Sequence, residues 1–257
     1  MDIFFRALLF TTQEPFIVPL LVIGYLAFRR EVFARATLIL LLSLSINPFL
    51  KSLFEVPLPE SLGKEGWALP SGHMQSAVVL WGWFALEAKN RYFFAILPLL
   101  WIGIGGGLIY FDYHSLADVT AAVLSGSTLL AVFYYLNKYA PLSRSKLGFI
   151  CTAISLLFYY ITPNHQELAY LLVAPSALFG FSLGWLIFPL AQCSMPQTWI
   201  QKISLIASAC TGIAILYLGT QYIPSRSLQA VTLYSGIGLW AGSVAPWLLN
   251  RILAHRP

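Results

Sequence analysis

The sequence predicts an all-α fold, a polytopic integral membrane helical bundle with about nine transmembrane helices. Three observations carry that expectation. Hydrophobic residues make up 58% of the 257, charged residues only 10%, and the mean hydropathy is +0.75; soluble domains hold about a quarter charged residues. The apolar residues are gathered in long runs suited to helical crossings, not in the alternating segments of roughly ten residues that build a membrane barrel. The basic residues behind the net charge of +5 are scattered between those runs. Such scatter is a topology signal and not a basic patch, so no nucleic-acid partner is expected.

The expected spans, in chain order, are 8–28, 36–54, 71–88, 92–111, 116–136, 147–163, 167–190, 202–222 and 228–249. Gln13, Glu14 and Pro15 interrupt the first, which leaves a short interfacial helix over residues 3–10 as an alternative. The second carries Asn47 and Pro48. No basic segment and small-residue cleavage site mark a removable signal peptide, so the first run is expected to stay in the membrane. The polar connection 137–146 divides a motif-bearing core, residues 1–136, from additional helices of unassigned role over 147–257.

Lys and Arg orient the bundle. Arg29, Arg30, Arg35, Lys89, Arg91, Lys138, Arg144, Lys146, Lys202, Arg251 and Arg256 fall in connections or tails on one side, while Arg6, Lys51, Lys64 and Arg226 fall on the other. The expected placement is a multi-pass protein of a bacterial inner membrane, with its amino terminus outside and its carboxyl terminus in the cytoplasm. Lys51, Ser71-Gly72-His73 and His114-x-x-x-Asp118 then share the outer, periplasmic face, beside the Pro- and Gly-containing connection Glu55 to Leu69.

These residues point to phosphoryl transfer. Ionisable groups at helix starts in an apolar chain mark a functional site. His114 and Asp118 are four apart at a helix start, a spacing that puts them one turn apart on one face. The carboxylate would hold one imidazole nitrogen and leave the other as a nucleophile. Pro70-Ser71-Gly72-His73 precedes a second helix, where backbone N–H groups and the Ser71 hydroxyl would bind phosphate oxygens. His73 would protonate the leaving oxygen, and Lys51 would neutralise a phosphate oxygen.

With those blocks in that order, residues 36–136 resemble the type-2 phosphatidic acid phosphatase superfamily, which also includes vanadium haloperoxidases. The family pattern is K-x6-R-P, then P-S-G-H, then S-R-x5-H-x3-D. Pro70, Ser71, Gly72 and His73 complete the second block, His114 and Asp118 keep the third, and Lys51 with Pro59 keeps the first. The resemblance implies that His114 forms a phosphohistidine, Asp118 orients it and His73 is the acid, with Lys51, Ser71 and Gly72 on the phosphate. Leu58 and Gly107-Leu108 stand where the family has Arg and Ser-Arg. Leucine supplies neither the charge nor the forked donors that arginine presents to phosphate.

By resemblance, the expected activity is a membrane lipid phosphatase that acts at the outer face on a lipid phosphate or diphosphate. Phosphatidic acid, phosphatidylglycerophosphate, polyprenyl diphosphate and lipid A are candidate substrates. The missing arginines keep two alternatives open. One is transfer of a phospho-headgroup between lipids, as in sphingomyelin synthases. The other is a non-catalytic scaffold or transporter on the same helices. No cofactor or metal is expected, because a phosphohistidine route needs none and no third ligand stands at a suitable spacing from His73 and His114.

Other features carry plainer expectations. Gly103 to Gly107 lie inside an apolar run and suit close helix packing. Asp112 is expected at a solvated boundary, His165 in an exposed loop, and the tryptophans in interfacial belts or packing. Cys151, Cys193 and Cys210 have no pair spacing and are expected as buried, inert thiols.

Overall fold

The computed structural model describes residues 1–63, 65–163, 169–188, 195–196 and 198–254; Lys64, His165, Cys193 and Arg256 lie outside them. The described residues form helices and one isolated bridge between Pro57 and Trp67. The helices are α1 (Asp2–Phe10), α2 (Glu14–Ala27), α3 (Arg30–Phe54), α4 (Gly72–Ala88), α5 (Arg91–Tyr110), α6 (Leu116–Tyr139), α7 (Arg144–Ile161), α8 (Val173–Ile187), α9 (Trp199–Thr220), α10 (Arg226–Leu239) and α11 (Ala245–Ala254). A 3₁₀ turn at Ala169–Leu172 leads into α8, and a π turn at Trp240–Val244 joins α10 to α11. Most described starts have a polar cap. Ser71, Asn90, Ser115, Ser143, Thr198 and Ser225 each accept a first-turn backbone N–H, which satisfies a donor that the helix leaves free.

Five helical stretches are long and apolar enough to cross a bilayer: Arg30–Phe54, Arg91–Tyr110, Leu116–Tyr139, Ala169–Ile187 and Trp199–Thr220. The pair α1 and α2, bent by 45°, makes a sixth if it counts as one span. The break falls at Thr11 to Gln13, and of the residues expected to interrupt the run, Glu14 and Pro15 begin α2. Of the other expected crossings, α4 has 17 residues, shorter than the approximately 20 that a straight crossing takes, and 228–249 falls on α10, the π turn and α11, which follow one another without a break.

The chain forms two compact units, both discontinuous in sequence. Unit 1 comprises Met1–Leu20 and Ser43–Pro141; unit 2 comprises Leu21–Leu42 and Leu142–Pro257. The boundary between Pro141 and Leu142 falls in the 137–146 connection. The stretch Leu21–Leu42 groups with the carboxyl-terminal helices, while every motif residue falls in unit 1.

In unit 1, α4, α5 and α6 surround a core of Met74, Ala77, Val78, Ile104, Leu108, Val119 and Ala122, which Leu9 of α1 completes. Lipid is as apolar as these side chains, so close packing of small residues must draw the helices together. Gly126 of α6 fits against α4, where a Cβ would lie 3.0 Å from Val78. Gly105 of α5 faces Val119, and Gly106 and Gly107 face Phe5 of α1. α1 runs antiparallel to α5, with Tyr110 Oη donating to Asp2 Oδ1 (2.8 Å).

In unit 2, α8 and α10 approach backbone to backbone. Gly180 lies against the Ser235 carbonyl, and a Cβ on Gly238 would sit 2.6 Å from that of Ala177. Trp185 Nε1 donates to Tyr25 Oη (2.9 Å), and Tyr25 donates to the Gly242 carbonyl inside the π turn. Cys151 is buried, but Cys210 is exposed, contrary to the expectation from the sequence. The reason is that α9 is apolar on most faces with only 22% of its span buried, so an apolar surrounding there does not mean burial in protein.

Candidate active site

The site forms where α3 ends and α4 and α6 begin. Lys51 sits in the last turn of α3, and its Nζ donates to the Trp67 carbonyl at 2.7 Å. That contact ties the helix to the following connection, which is folded on itself by Leu58 N–H to Gly66 O (3.0 Å) and Ala68 N–H to Val56 O (2.7 Å). Ser71 caps α4 and is fully buried, and its hydroxyl accepts from Met74 N–H at a long 3.5 Å. His73 follows in the first turn, exposed. The Ser71 N–H donates to the carbonyl of Asp118 (3.2 Å), which joins the two motif blocks through their backbones.

His114 is held from the other side. Its N–H and that of Tyr113 both donate to the Leu108 carbonyl, at 3.3 and 2.9 Å, as the chain turns through Asp112 at φ +54°. The turn places His114 one residue before the cap of α6, not on the helix face as the spacing suggested. The cause is a capping box: Ser115 Oγ accepts from Asp118 N–H (3.2 Å), and Asp118 Oδ2 accepts from Ser115 N–H (2.8 Å). The same Oδ2 lies 3.5 Å from His114 Nδ1. That is an electrostatic contact, too long for a good hydrogen bond. His114 Nδ1 and the second Asp118 oxygen, Oδ1, are buried without a hydrogen-bond partner.

The electrostatic field favours a neutral imidazole at His114. Burial, first, and the Lys51 ammonium, second, push its pKa below the ordinary value of 6.5, while Asp118 opposes them. His73 also acts on His114, and Lys51 and Glu14 act on His73, so these groups share one neighbourhood. A neutral His114 retains a lone pair for attack.

All six residues singled out from the sequence lie in unit 1, at these helix ends, but their occupations differ. The Ser71 N–H is engaged by Asp118 and the Met74 and Gln75 amides by Ser71 itself, so the amides at the helix start that bear on an anion are those of Gly72 and His73. A Cβ at Gly72 would lie 3.2 Å from Asn47 Oδ1, so a glycine suits that place. Leu58 is half-buried, near Gly66, and Leu108 is 2% exposed in the core beneath α1. The helix α1 thus lies over the stretch where the family pattern has its Ser-Arg pair. Arg226 begins α10 in unit 2.

Several contacts at this end escaped sequence reasoning. Arg6 of α1 holds its guanidinium 4.9 Å from the ring centre of Phe111, three residues before His114. Asp112 Oδ2 accepts from Ser61 Oγ (2.7 Å), which pins the 55–69 connection to the turn before His114. Asn47 and Gln75 form a buried amide pair beneath the Ser71-Gly72-His73 turn. Their signal was present as two amides inside apolar runs; Arg6 had none, because its approach depends on how α1 packs. Among the described residues, no group of three His, Cys, Asp or Glu side chains is gathered for a metal.

The family model of the PAP2 superfamily matches residues 33–141. Its members are generally phosphatases or phosphotransferases, which supports an enzyme. No curated protein and no solved structure matches the chain.

Proposed function

From residues 33–141, which belong to the PAP2 superfamily, we infer a membrane phosphatase that cleaves a lipid phosphate or diphosphate at the outer face through a phosphohistidine. The observation that carries this reading is the buried His114 with Asp118 Oδ2 3.5 Å behind its Nδ1, its pKa held down by burial and by Lys51. A proton on Nδ1, facing Asp118, leaves the Nε2 lone pair to attack phosphorus. The N–P bond forms as the P–O bond to the lipid breaks, and protonated His73 gives its proton to the leaving oxygen. Neutral His73 then takes a proton from water, whose oxygen attacks phosphorus and breaks the N–P bond. Lys51, the Ser71 hydroxyl and the Gly72 amide stabilise charge on the phosphoryl oxygens.

A second reading, headgroup transfer, draws support from Leu58 and Leu108. With leucine at both positions, this end has less charge to offer a phosphomonoester dianion, and a phosphodiester demands less. In that reaction an acceptor alcohol replaces water and the same residues act.

A lipid panel tests both readings, with purified wild type beside His114→Ala. It contains phosphomonoester, diphosphate and phosphodiester lipids, with and without an acceptor alcohol. Phosphate release that the substitution removes is the expected result. Headgroup movement to the alcohol without free phosphate would make the protein a transferase. Turnover of none of them, or turnover unchanged by the substitution, would leave a scaffold or transporter.

The proposed topology has nine crossings in an inner membrane, the amino terminus outside and the carboxyl terminus cytoplasmic. Glu60→Cys and Ser143→Cys should then label from opposite faces. Labelling of both from the cytoplasm would overturn it.

A further inference from the structure

Each of three helices in unit 1 brings part of the site to one end: α3 brings Lys51, α4 brings the Ser71-Gly72-His73 turn, and α6 brings Asp118. Below them a single side chain bonds to the other two helices. Gln75 stands on α4, one turn after Ser71, whose carbonyl accepts its N–H (3.0 Å). Its Oε1 accepts from Asn47 Nδ2 of α3 (3.0 Å) and from Ser125 Oγ of α6 (3.1 Å). Its Nε2 donates to Ser43 of α3, at the hydroxyl (3.0 Å) and the carbonyl (3.3 Å). Asn47 Nδ2 also donates to the Pro70 carbonyl (3.2 Å), directly before the motif turn.

The placement along each helix matters. Asn47 is one turn before Lys51, and Ser125 is two turns after Asp118. Gln75 is 1% exposed and Asn47 7%, so both amides are withdrawn from solvent. A primary amide in such surroundings is costly unless its donors and acceptor are met, and here Gln75 uses all of them. An apolar residue would fill the same space without that requirement. What the amide adds is direction: its bonds fix α3 and α6 relative to α4 at one height.

We propose that Gln75 is a positioning residue, which sets the spacing of Lys51, the Ser71-Gly72-His73 turn and Asp118 and thereby the geometry of phosphoryl transfer. This rests on the phosphohistidine reading above. A displacement of about 1 Å in such a constellation costs about 10²-fold in rate.

The test uses the full chain in lipid nanodiscs, comparing wild type, Gln75→Leu and Ser125→Ala. Three quantities are read: kcat and KM on the best lipid of the panel, the thermal midpoint, and backbone hydrogen exchange. For Gln75→Leu, kcat should fall about 10²-fold with KM within threefold. Exchange should rise over 70–75 and 114–119 and stay unchanged in α8 and α10. Ser125→Ala, which removes the bond to Gln75 Oε1 together with a local one to the Ala122 carbonyl (3.3 Å), should lower kcat about tenfold at an unchanged midpoint; it carries the same decision should Gln75→Leu not fold. Wild-type kcat in either folded variant, or a loss accompanied by faster exchange throughout unit 1, would overturn the proposal. If the wild type turns over no lipid, the phosphohistidine reading fails by itself. Exchange then decides whether Gln75 orders the helix ends: a local rise upholds that and no rise refutes it.

Discussion

The Ser71 N–H donates to the carbonyl of Asp118 at 3.2 Å, so the starts of α4 and α6 are joined by backbone and not by the side chains that would do chemistry. Truncating those side chains should therefore leave the framework standing. We expect His73→Ala to lower kcat by about 10²–10⁴-fold, and His114→Ala to abolish turnover, each with a thermal midpoint near that of wild type. Scanning calorimetry beside a phosphate-release assay checks this; a collapsed midpoint in both variants would mean that the histidines hold the fold.

The pH dependence follows from the lowered pKa of His114. A protonated imidazole cannot attack, so the acidic limb of the rate should climb with pH through this pKa, below 6.5, and loss of the proton from His73, the donor to the leaving oxygen, should set a falling limb. Lys51 disfavours the imidazolium and Asp118 favours it. Hence Lys51→Met should move the His114 titration to higher pH and Asp118→Asn to lower pH. Ring resonances of labelled histidine in nanodiscs report both; a rise for Asp118→Asn would contradict the geometry.

Arg6 is exposed on α1 with its guanidinium 4.9 Å from the Phe111 ring centre. If it turns to a bound phosphate, it supplies a charge-assisted hydrogen bond of about 1.5–3 kcal/mol, or tenfold and more in binding. Arg6→Ala should then raise KM for a phosphomonoester about tenfold with little change in kcat, and Arg6→Lys should recover part. An unchanged KM would restrict Arg6 to its stack on Phe111, worth about 0.5–1 kcal/mol at an exposed place.

Close packing of α4 on α6 gives a stability prediction. At Gly126 a Cβ would meet Val78 at 3.0 Å and the Gln75 carbonyl at 3.3 Å. Gly126→Val should destabilise unit 1 by about 1–3 kcal/mol and lower activity with it. Gly219→Ala on α9, where nothing lies within 4 Å of the new Cβ, should leave the midpoint unchanged or raise it. Equal effects of the two would show that α4 and α6 are not held by this contact.

The all-helical membrane class was legible in the sequence because composition and run length are local. A long apolar stretch must satisfy its backbone internally wherever it sits, and a helix does so. The break was legible for the same reason, within two residues: it was expected at Gln13 to Pro15, and α1 and α2 bend by 45° across Thr11 to Gln13. Lys51, Ser71, Gly72, His73, His114 and Asp118 stood out as polar residues where apolar runs begin or end. Spacing alone, however, put His114 on the face of α6. Only the capping box showed that the imidazole precedes the helix and that Asp118 divides one oxygen between Ser115 and His114.

What only the tertiary structure decided are relations between helices distant in sequence. That α1 lies along α5, over Gly107 and Leu108, and brings Arg6 to Phe111 follows from the packing of Phe5 and Leu9 on glycines about a hundred residues away. That Gln75 joins three helices depends on Asn47, Ser43 and Ser125 reaching one height. Hydrophobic periodicity says which residues avoid water, and in a membrane chain nearly every face does so. Which apolar face meets which neighbour is therefore settled by small-residue contacts and buried hydrogen bonds, and these exist only once the helices are together.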